Sequence, residues 1–385
     1  MSSPAEIPPS ARVLHIGPHK TGTTALQSAL HQARDDLAAQ GVRYLSPNRH
    51  DAAAARWITG RLVAGMDRDA ARRRWEALVE EMTRPSAQRR IYSSEFLSDA
   101  KDAQIAQIVE ELGTDDLWVV VTLRPLAKIL PSQYQQGIQR LGLRKYDDFL
   151  HSVLDEEPAV APPPQFWIRH AHDELTRRWA AHVGAERVIV VVLDAADHQF
   201  LPHAFEEILG LRPDTLAARD AKENRSLTAA EVEVLRQFNM QFKTLGLGAD
   251  LYARFLSHFR DHLKSRTPGP GEARMVTPDW AVAGANEIGR KAADNLRASG
   301  VTVLGDLDSL SAVPLAGVPE TPEAPTGVST EFAGWFAAGL AASAQQLLAA
   351  PRPRRTPPEP ATRPEASLRD VARRGLRRLR GTGGS

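Results

Sequence analysis

Residues 17–24 read GPHKTGTT, with one lysine and three threonines between and after two glycines, directly behind a short apolar run of Val13, Leu14 and Ile16. Leu26 and Leu30 follow at helical spacing. Strand, glycine-containing turn and helix together make an anion site. The first-turn N–H groups of the helix lack partners, and the helix dipole adds partial positive charge there. Phosphate is the usual guest. A nucleotide-hydrolysing loop of this kind reads G-x-x-x-x-G-K-[ST]. Gly17 and Gly22 have that spacing, but Thr23 stands where the lysine would be, and the lysine is Lys20, inside the loop. Metal-assisted phosphoryl transfer also needs an acidic residue after a second strand. The best core strand, 117–123, runs into Arg124 without a carboxylate. The pattern predicts a phosphate loop that works without Mg²⁺.

Three further positions carry chemistry. Arg124 falls at the C-terminal end of a strand, where ligands of open α/β sheets bind, and a guanidinium pairs with phosphate in bidentate fashion. Glu95 follows the strand 90–93 in IYSSEFLS and could take a proton, as could His19 in the loop. Arg225, in Asn224-Arg225-Ser226, precedes Thr228 and Glu231, which form a capping-box pair.

The segment PHKTGTT, 18–24, resembles the 5′-phosphosulfate loop of sulfotransferases that use 3′-phosphoadenosine 5′-phosphosulfate (PAPS). The second hallmark of that family is a strand followed by Arg, seven residues and Ser. It matches Arg124 through Ser132 in VVVTLRPLAKILPSQY, about a hundred residues on. The resemblance covers residues 11 to about 310. It implies that Lys20 stabilises charge on the leaving phosphate. Lys20, Thr21, Gly22, Thr23 and Thr24 would hold the 5′-phosphate, Arg124 and Ser132 the 3′-phosphate, and Arg225 would add a third nucleotide contact. Glu95 resembles the general base of the glycan-sulfating type, whereas the cytosolic phenol/steroid type uses a histidine. The R-K-G-x-x-G segment of that cytosolic type is absent, which leaves adenine recognition unassigned.

The reaction implied is in-line transfer of a sulfuryl group from PAPS to a hydroxyl or amine of a small-molecule or carbohydrate acceptor, with no metal. A metal-dependent nucleotide kinase is the alternative enzyme. A catalytically silent binding protein of the same fold is the alternative of another class.

Composition fits a globular enzyme. The chain has 385 residues, 42% hydrophobic and 25% charged. Its lack of cysteine removes disulfides, thiolate metal sites and a Cys nucleophile, and suits a reducing compartment. MSSPAEIPPS lacks the basic and apolar regions of a signal peptide, and the expected location is cytoplasmic. Net charge is +1, divided into +7 over 351–385 and −6 over the remainder. That field does not suit a nucleic-acid binder. His258 and His262 lack the glutamate of H-E-x-x-H and read as helix surface.

Strands are expected at 12–17, 41–45, 90–93, 117–123, 187–193 and 301–304. Helices are expected at 23–40, 51–64, 68–83, 101–112, 125–140, 168–183, 200–209, 229–245, 250–263 and 279–299. This alternation predicts an α/β fold, a P-loop NTPase-like parallel sheet with helices on both faces. A proline-rich surface loop is expected at 155–166. Residues 1–10 read as a disordered N-terminus, 11–310 as the sulfotransferase domain and 311–327 as a linker. Residues 328–350 read as a docked amphipathic helix rather than a membrane span, and 351–385 as a basic Pro/Arg-rich tail. Within that tail, 367–380 sets six arginines largely opposite Leu368, Val371, Leu376 and Leu379. The charge run reads as a solvated tail, and the same pattern would allow weak contact with an anionic membrane surface.

Overall fold

A computed structural model describes residues 5–63, 65–194, 196–217, 225–269 and 271–349. The arginine-rich pattern at 367–380, Asn224 and the first four residues lie outside them. The chain divides into two units, Met1–Ser343 and Ala344–Ser385, and the second is described only over 344–349.

The element order is β1 (Arg12–Ile16), α1 (Thr23–Gln32), α2 (Arg34–Ala39), β2 (Val42–Tyr44), α3 (Ala53–Ile58), α4 (Arg68–Thr83), β3 (Arg89–Ser93), α5 (Asp102–Leu112), β4 (Leu117–Leu123), α6 (Leu126–Ile138) and α7 (Tyr146–Leu154). It continues with α8 (Phe166–His170), α9 (His172–Val183), β5 (Val188–Val192), α10 (Phe200–Leu209), α11 (Ala229–Thr244), α12 (Ala249–Ser265), α13 (Asp279–Ala298), β6 (Thr302–Leu304) and α14 (Thr330–Ala349). A 3₁₀ turn, Glu95–Asp99, follows β3 directly.

The six strands form one parallel sheet in the order β2-β3-β1-β4-β5-β6. Successive side chains of a strand point to opposite faces, and both faces here are covered. Leu14, Tyr92, Val119, Val121 and Val190 pack with Trp75, Leu97 and Trp179 on one side. Val13, Ile91, Val120, Ile189 and Val191 pack with Leu26, Leu30, Phe205 and Ile208 on the other. Burial on both faces explains why β5, and β4 apart from Thr122, are apolar throughout. The fold is thus α/β with a parallel sheet between helical layers.

β1 lies between β3 and β4, with His15 opposite Ser93 and Ile16 opposite Val121. The chain moves to one side of β1 for β2 and β3 and to the other for β4. This change of direction brings the segments after β1, β3 and β4 together at the C-terminal edge, where open α/β sheets bind ligands.

The helix expected over 23–40 is two helices. Ala33 leaves helical geometry (φ −87°, ψ 13°), although the Ala33 N–H still reaches Ala29 O. The helix expected from 51 to 64 closes at Ile58, where the chain folds back and the Arg61 N–H donates to Arg56 O. Ala171 divides the helix expected over 168–183. Helix α6 runs through Pro131. The capping box at α11 is formed: Thr228 Oγ1 accepts from the Glu231 N–H at 3.2 Å, and Glu231 Oε2 accepts from the Thr228 N–H at 2.9 Å. Thr228→Ala is expected to cost about 1 kcal/mol, measured by urea unfolding.

Helix α14 buries Phe332 and Phe336 and stacks Trp335 on His262 of α12 at 4.0 Å. Phe336 meets Phe259 edge-on at 4.9 Å. Among the described residues, no helix is long and apolar enough to cross a membrane.

Candidate active site

The loop between β1 and α1 is shaped by close approach. A Cβ on Gly17 would lie 2.0 Å from Thr23 Oγ1 and 2.9 Å from Thr122 Oγ1, so no side chain fits. Gly22 caps α1 with φ 80°, in the left-handed region open to glycine. Lys20 adopts φ 76° without that freedom, a strained geometry for an L-residue.

Buried polar groups tie the loop to the sheet. Thr21 Oγ1 donates to Pro18 O at 2.8 Å, and its oxygen lies 2.8 Å from Thr122 Oγ1 of β4. His15 spans Ser93 Oγ (2.7 Å, from Nδ1) and Thr122 Oγ1 (3.2 Å, from Nε2). Burial pushes the His15 pKa down to about 3, so the ring is neutral here. Gln27 Nε2 donates to Ser93 O at 2.9 Å, while His50 Nδ1 donates to Gln27 Oε1 at 2.9 Å. Thr23 Oγ1 donates to Gly17 O at 3.3 Å.

What remains free is a row of backbone N–H groups at the start of α1. Among the described residues, the N–H groups of Lys20, Gly22, Thr23 and Thr24 have no backbone acceptor. Thr24 is exposed beside them. Lys20 is exposed to solvent. Desolvation there, with Lys264, Arg140 and Arg124 nearby, lowers its pKa to about 8, and Glu95 pulls the other way. The shift is that of a group in a crowded cleft, not of one sealed from water.

Arg124 donates a long bond, 3.4 Å, from Nη1 to Lys20 O, and burial lowers its pKa. Ser132 is half-buried, with no partner for its hydroxyl among the described residues. Glu95 opens the 3₁₀ turn after β3, and its carboxylate has no hydrogen-bond or ion-pair partner there. It acts electrostatically on Lys20, His50 and Arg56. Lys20, Glu95 and Arg124 therefore converge at the ends of three adjacent strands.

Two residues expected to touch the nucleotide are engaged within the protein. The Thr21 hydroxyl and N–H serve the loop itself. Arg225 gives Nη1 and Nη2 to the two Glu231 oxygens, at 2.7 Å each, and Nη2 also to Leu263 O at 2.7 Å. Only its Nε is left without a partner. The guanidinium thus joins the start of α11 to the end of α12.

His19, the rival base, is buried and lies edge-on to Phe96 at 5.3 Å. Burial, then Arg169 and Arg140, hold its pKa well below the usual histidine value. A ring so placed resists taking a proton.

Three cations were not anticipated. Lys264 and Arg260 stand four residues apart on α12, and Arg140 follows α6. None has a hydrogen-bond or ion-pair partner through its side chain among the described residues. The i, i+4 spacing of Arg260 and Lys264 was visible in sequence. The approach of Lys264 to Lys20, more than two hundred residues away, was not. Lys264, Arg140 and Arg124 act on Lys20, with Glu95 opposing them, and Arg260 acts on Arg140 and Lys264. Arg169 pairs with buried Asp99, with Nη2 donating to Oδ2 at 2.8 Å and Nε to Oδ1. Asp99→Ala would strand that buried guanidinium, and urea unfolding should show a loss of about 3–5 kcal/mol.

Among the described residues, no group of three or more His, Cys, Asp or Glu is placed to hold a metal ion. No protein-family model matches the chain, and no curated protein matches it in sequence. Among solved structures, it is similar to one described as a sulfotransferase from Alicyclobacillus acidocaldarius. The identity is 14% and the TM-score 0.38, over 63% of this chain and 98% of that one.

Proposed function

We propose that the protein is a sulfotransferase that takes its sulfuryl group from PAPS and delivers it to a small-molecule or carbohydrate acceptor. The observation that carries this reading is the cradle of unpartnered N–H groups with Lys20 inside it and an unpaired carboxylate, Glu95, facing it. The residues fit the donor. The N–H groups of Gly22, Thr23 and Thr24 suit a 5′-phosphate at a helix N-terminus. Arg124, with most of its donors unused, suits the 3′-phosphate that separates PAPS from ATP.

The chemistry follows from these positions. Glu95 accepts the proton of the acceptor hydroxyl. The acceptor oxygen forms its bond to sulfur as the bond from sulfur to the bridging oxygen breaks, and adenosine 3′,5′-bisphosphate leaves. Lys20 stabilises the charge that develops on that leaving oxygen. A carboxylate base in this place agrees with the glycan-sulfating type. A kinase reading has no comparable support, because Thr23 occupies the lysine position of its loop.

Calorimetric titration tests the donor. Adenosine 3′,5′-bisphosphate should bind at least about tenfold more tightly than ATP with Mg²⁺. Arg124→Ala should weaken it by about tenfold or more, as expected for loss of a charge-assisted pair. Binding of ATP–Mg²⁺ alone would overturn the reading.

A further inference from the structure

A cavity of about 560 Å³, a volume that suits a small organic molecule rather than a polymer, lies against the 3₁₀ turn that Glu95 opens, with Arg169 of its wall paired to Asp99 of that turn. Its apolar wall is built from Tyr134, Ile138, Phe149 and Phe166, with the end of the proline-rich loop, Pro163 and Pro164, closing one side. Phe149 and Phe166 meet edge-on at 6.1 Å, and Tyr134 lies 5.6 Å from Phe149. The Tyr134 hydroxyl is already given to Arg144 O at 3.0 Å, so the ring presents carbon rather than a polar tip.

The charge on the wall has one sign. Arg61, Arg140, Arg144, Arg169 and Lys243 line the cavity, and among the described residues no carboxylate does. Arg169 and Arg61 are compensated by Asp99 behind them. Arg144 donates to Ser152 Oγ and Ala161 O. Arg140 and Lys243 have no ion-pair or side-chain hydrogen-bond partner among the described residues. Arg169 of the wall donates to Asp99 at 2.8 Å, in the same 3₁₀ turn that Glu95 opens and whose Phe96 meets His19 of the loop at 5.3 Å, which sets the cavity against that turn. Arg140 also acts on both Lys20 and His19. Two further wall atoms are buried without partners: Gln133 Nε2, a donor, and Gln136 Oε1, an acceptor. A hydroxyl both donates and accepts, and can satisfy such a pair.

We propose that this cavity holds the acceptor, and that the acceptor is a small apolar or aromatic alcohol carrying an anionic group that Arg140 and Lys243 bind. The assignment rests on the sulfotransferase reading. A cationic amine would meet only like charge on this wall, and an uncharged acceptor would leave two cations unpaired.

The test uses the full chain and two fluorescent probes of similar shape, anionic 1-anilinonaphthalene-8-sulfonate and uncharged N-phenyl-1-naphthylamine. The anionic probe should bind about tenfold more tightly or better. Arg140→Gln and Lys243→Gln should each weaken it by about tenfold while leaving the uncharged probe within about threefold. Both side chains are exposed and unpaired, so folding is not at stake. Equal affinity for the two probes, or no effect of either substitution, would overturn the proposal. Titration of the same samples with adenosine 3′,5′-bisphosphate separates the two readings. If charge selectivity holds but the bisphosphate does not bind, the donor reading fails and the acceptor assignment with it. If the bisphosphate binds and selectivity is absent, only the acceptor class is wrong.

Discussion

Replacing Lys20 with alanine is expected to lower sulfuryl transfer by about 10²–10³-fold, the usual cost of removing one donor aimed at developing negative charge. The measurement is transfer of ³⁵S from labelled PAPS to an acceptor that supports turnover. Bisphosphate affinity should fall much less than the rate, because the N–H groups of Gly22, Thr23 and Thr24 and the Arg124 guanidinium remain. A variant that loses binding and rate equally would make Lys20 a binding residue only. The wild-type enzyme should also show a basic limb. In the proposed mechanism Lys20 must carry its proton to act, and in the free protein its pKa is lowered to about 8. It is charged below that pH and neutral above it, so kcat/KM should decline as pH rises through about 8. An anionic donor favours the charged form, so kcat should hold to higher pH.

Glu95→Gln is expected to reduce kcat by about 10²–10⁴-fold, the range for loss of a general base. Glutamine keeps the shape of the side chain but cannot accept the proton. Glu95 has no structural partner to lose, so the melting temperature should stay within a few degrees of wild type. If kcat survives in Glu95→Gln, the base lies elsewhere, and His19→Gln becomes the comparison. Burial and the neighbouring arginines make His19 a poor proton acceptor, so little change in chemistry is expected from that second variant.

Much of this architecture was legible in sequence because the signals were local. β4 is apolar but for Thr122 and is followed directly by Arg124, and the expected bounds 117–123 match those observed. The loop declared itself through Gly17, Lys20 and Gly22. Thr228 and Glu231 announced the start of α11. Helix α7 was not among the expected elements, although Phe149, Leu150 and Val153, buried along Tyr146–Leu154, carry helical spacing. What could not be read was tertiary. Nothing near Lys264 says that it approaches Lys20, and nothing near Arg225 says that both of its terminal nitrogens belong to Glu231. Those facts depend on how α11 and α12 pack, through contacts that leave no periodic trace. The cavity wall is equally non-local, assembled from α6, the turn after it, α7, α8 and a side chain of α11.

The backbone at Lys20 has a cost of its own. A left-handed φ on a lysine stands about 1–2 kcal/mol above an ordinary conformation, and a glycine there would relieve it. The neighbours leave little room to relax, since Thr21 is anchored to Pro18 and Thr122 on one side and Gly17 is hemmed in on the other. The most stable version of this loop is therefore one without its ammonium. Selection for thermal stability alone would tend to erase position 20 as a lysine. That it carries one makes the loop a place where the fold has been held short of its own optimum.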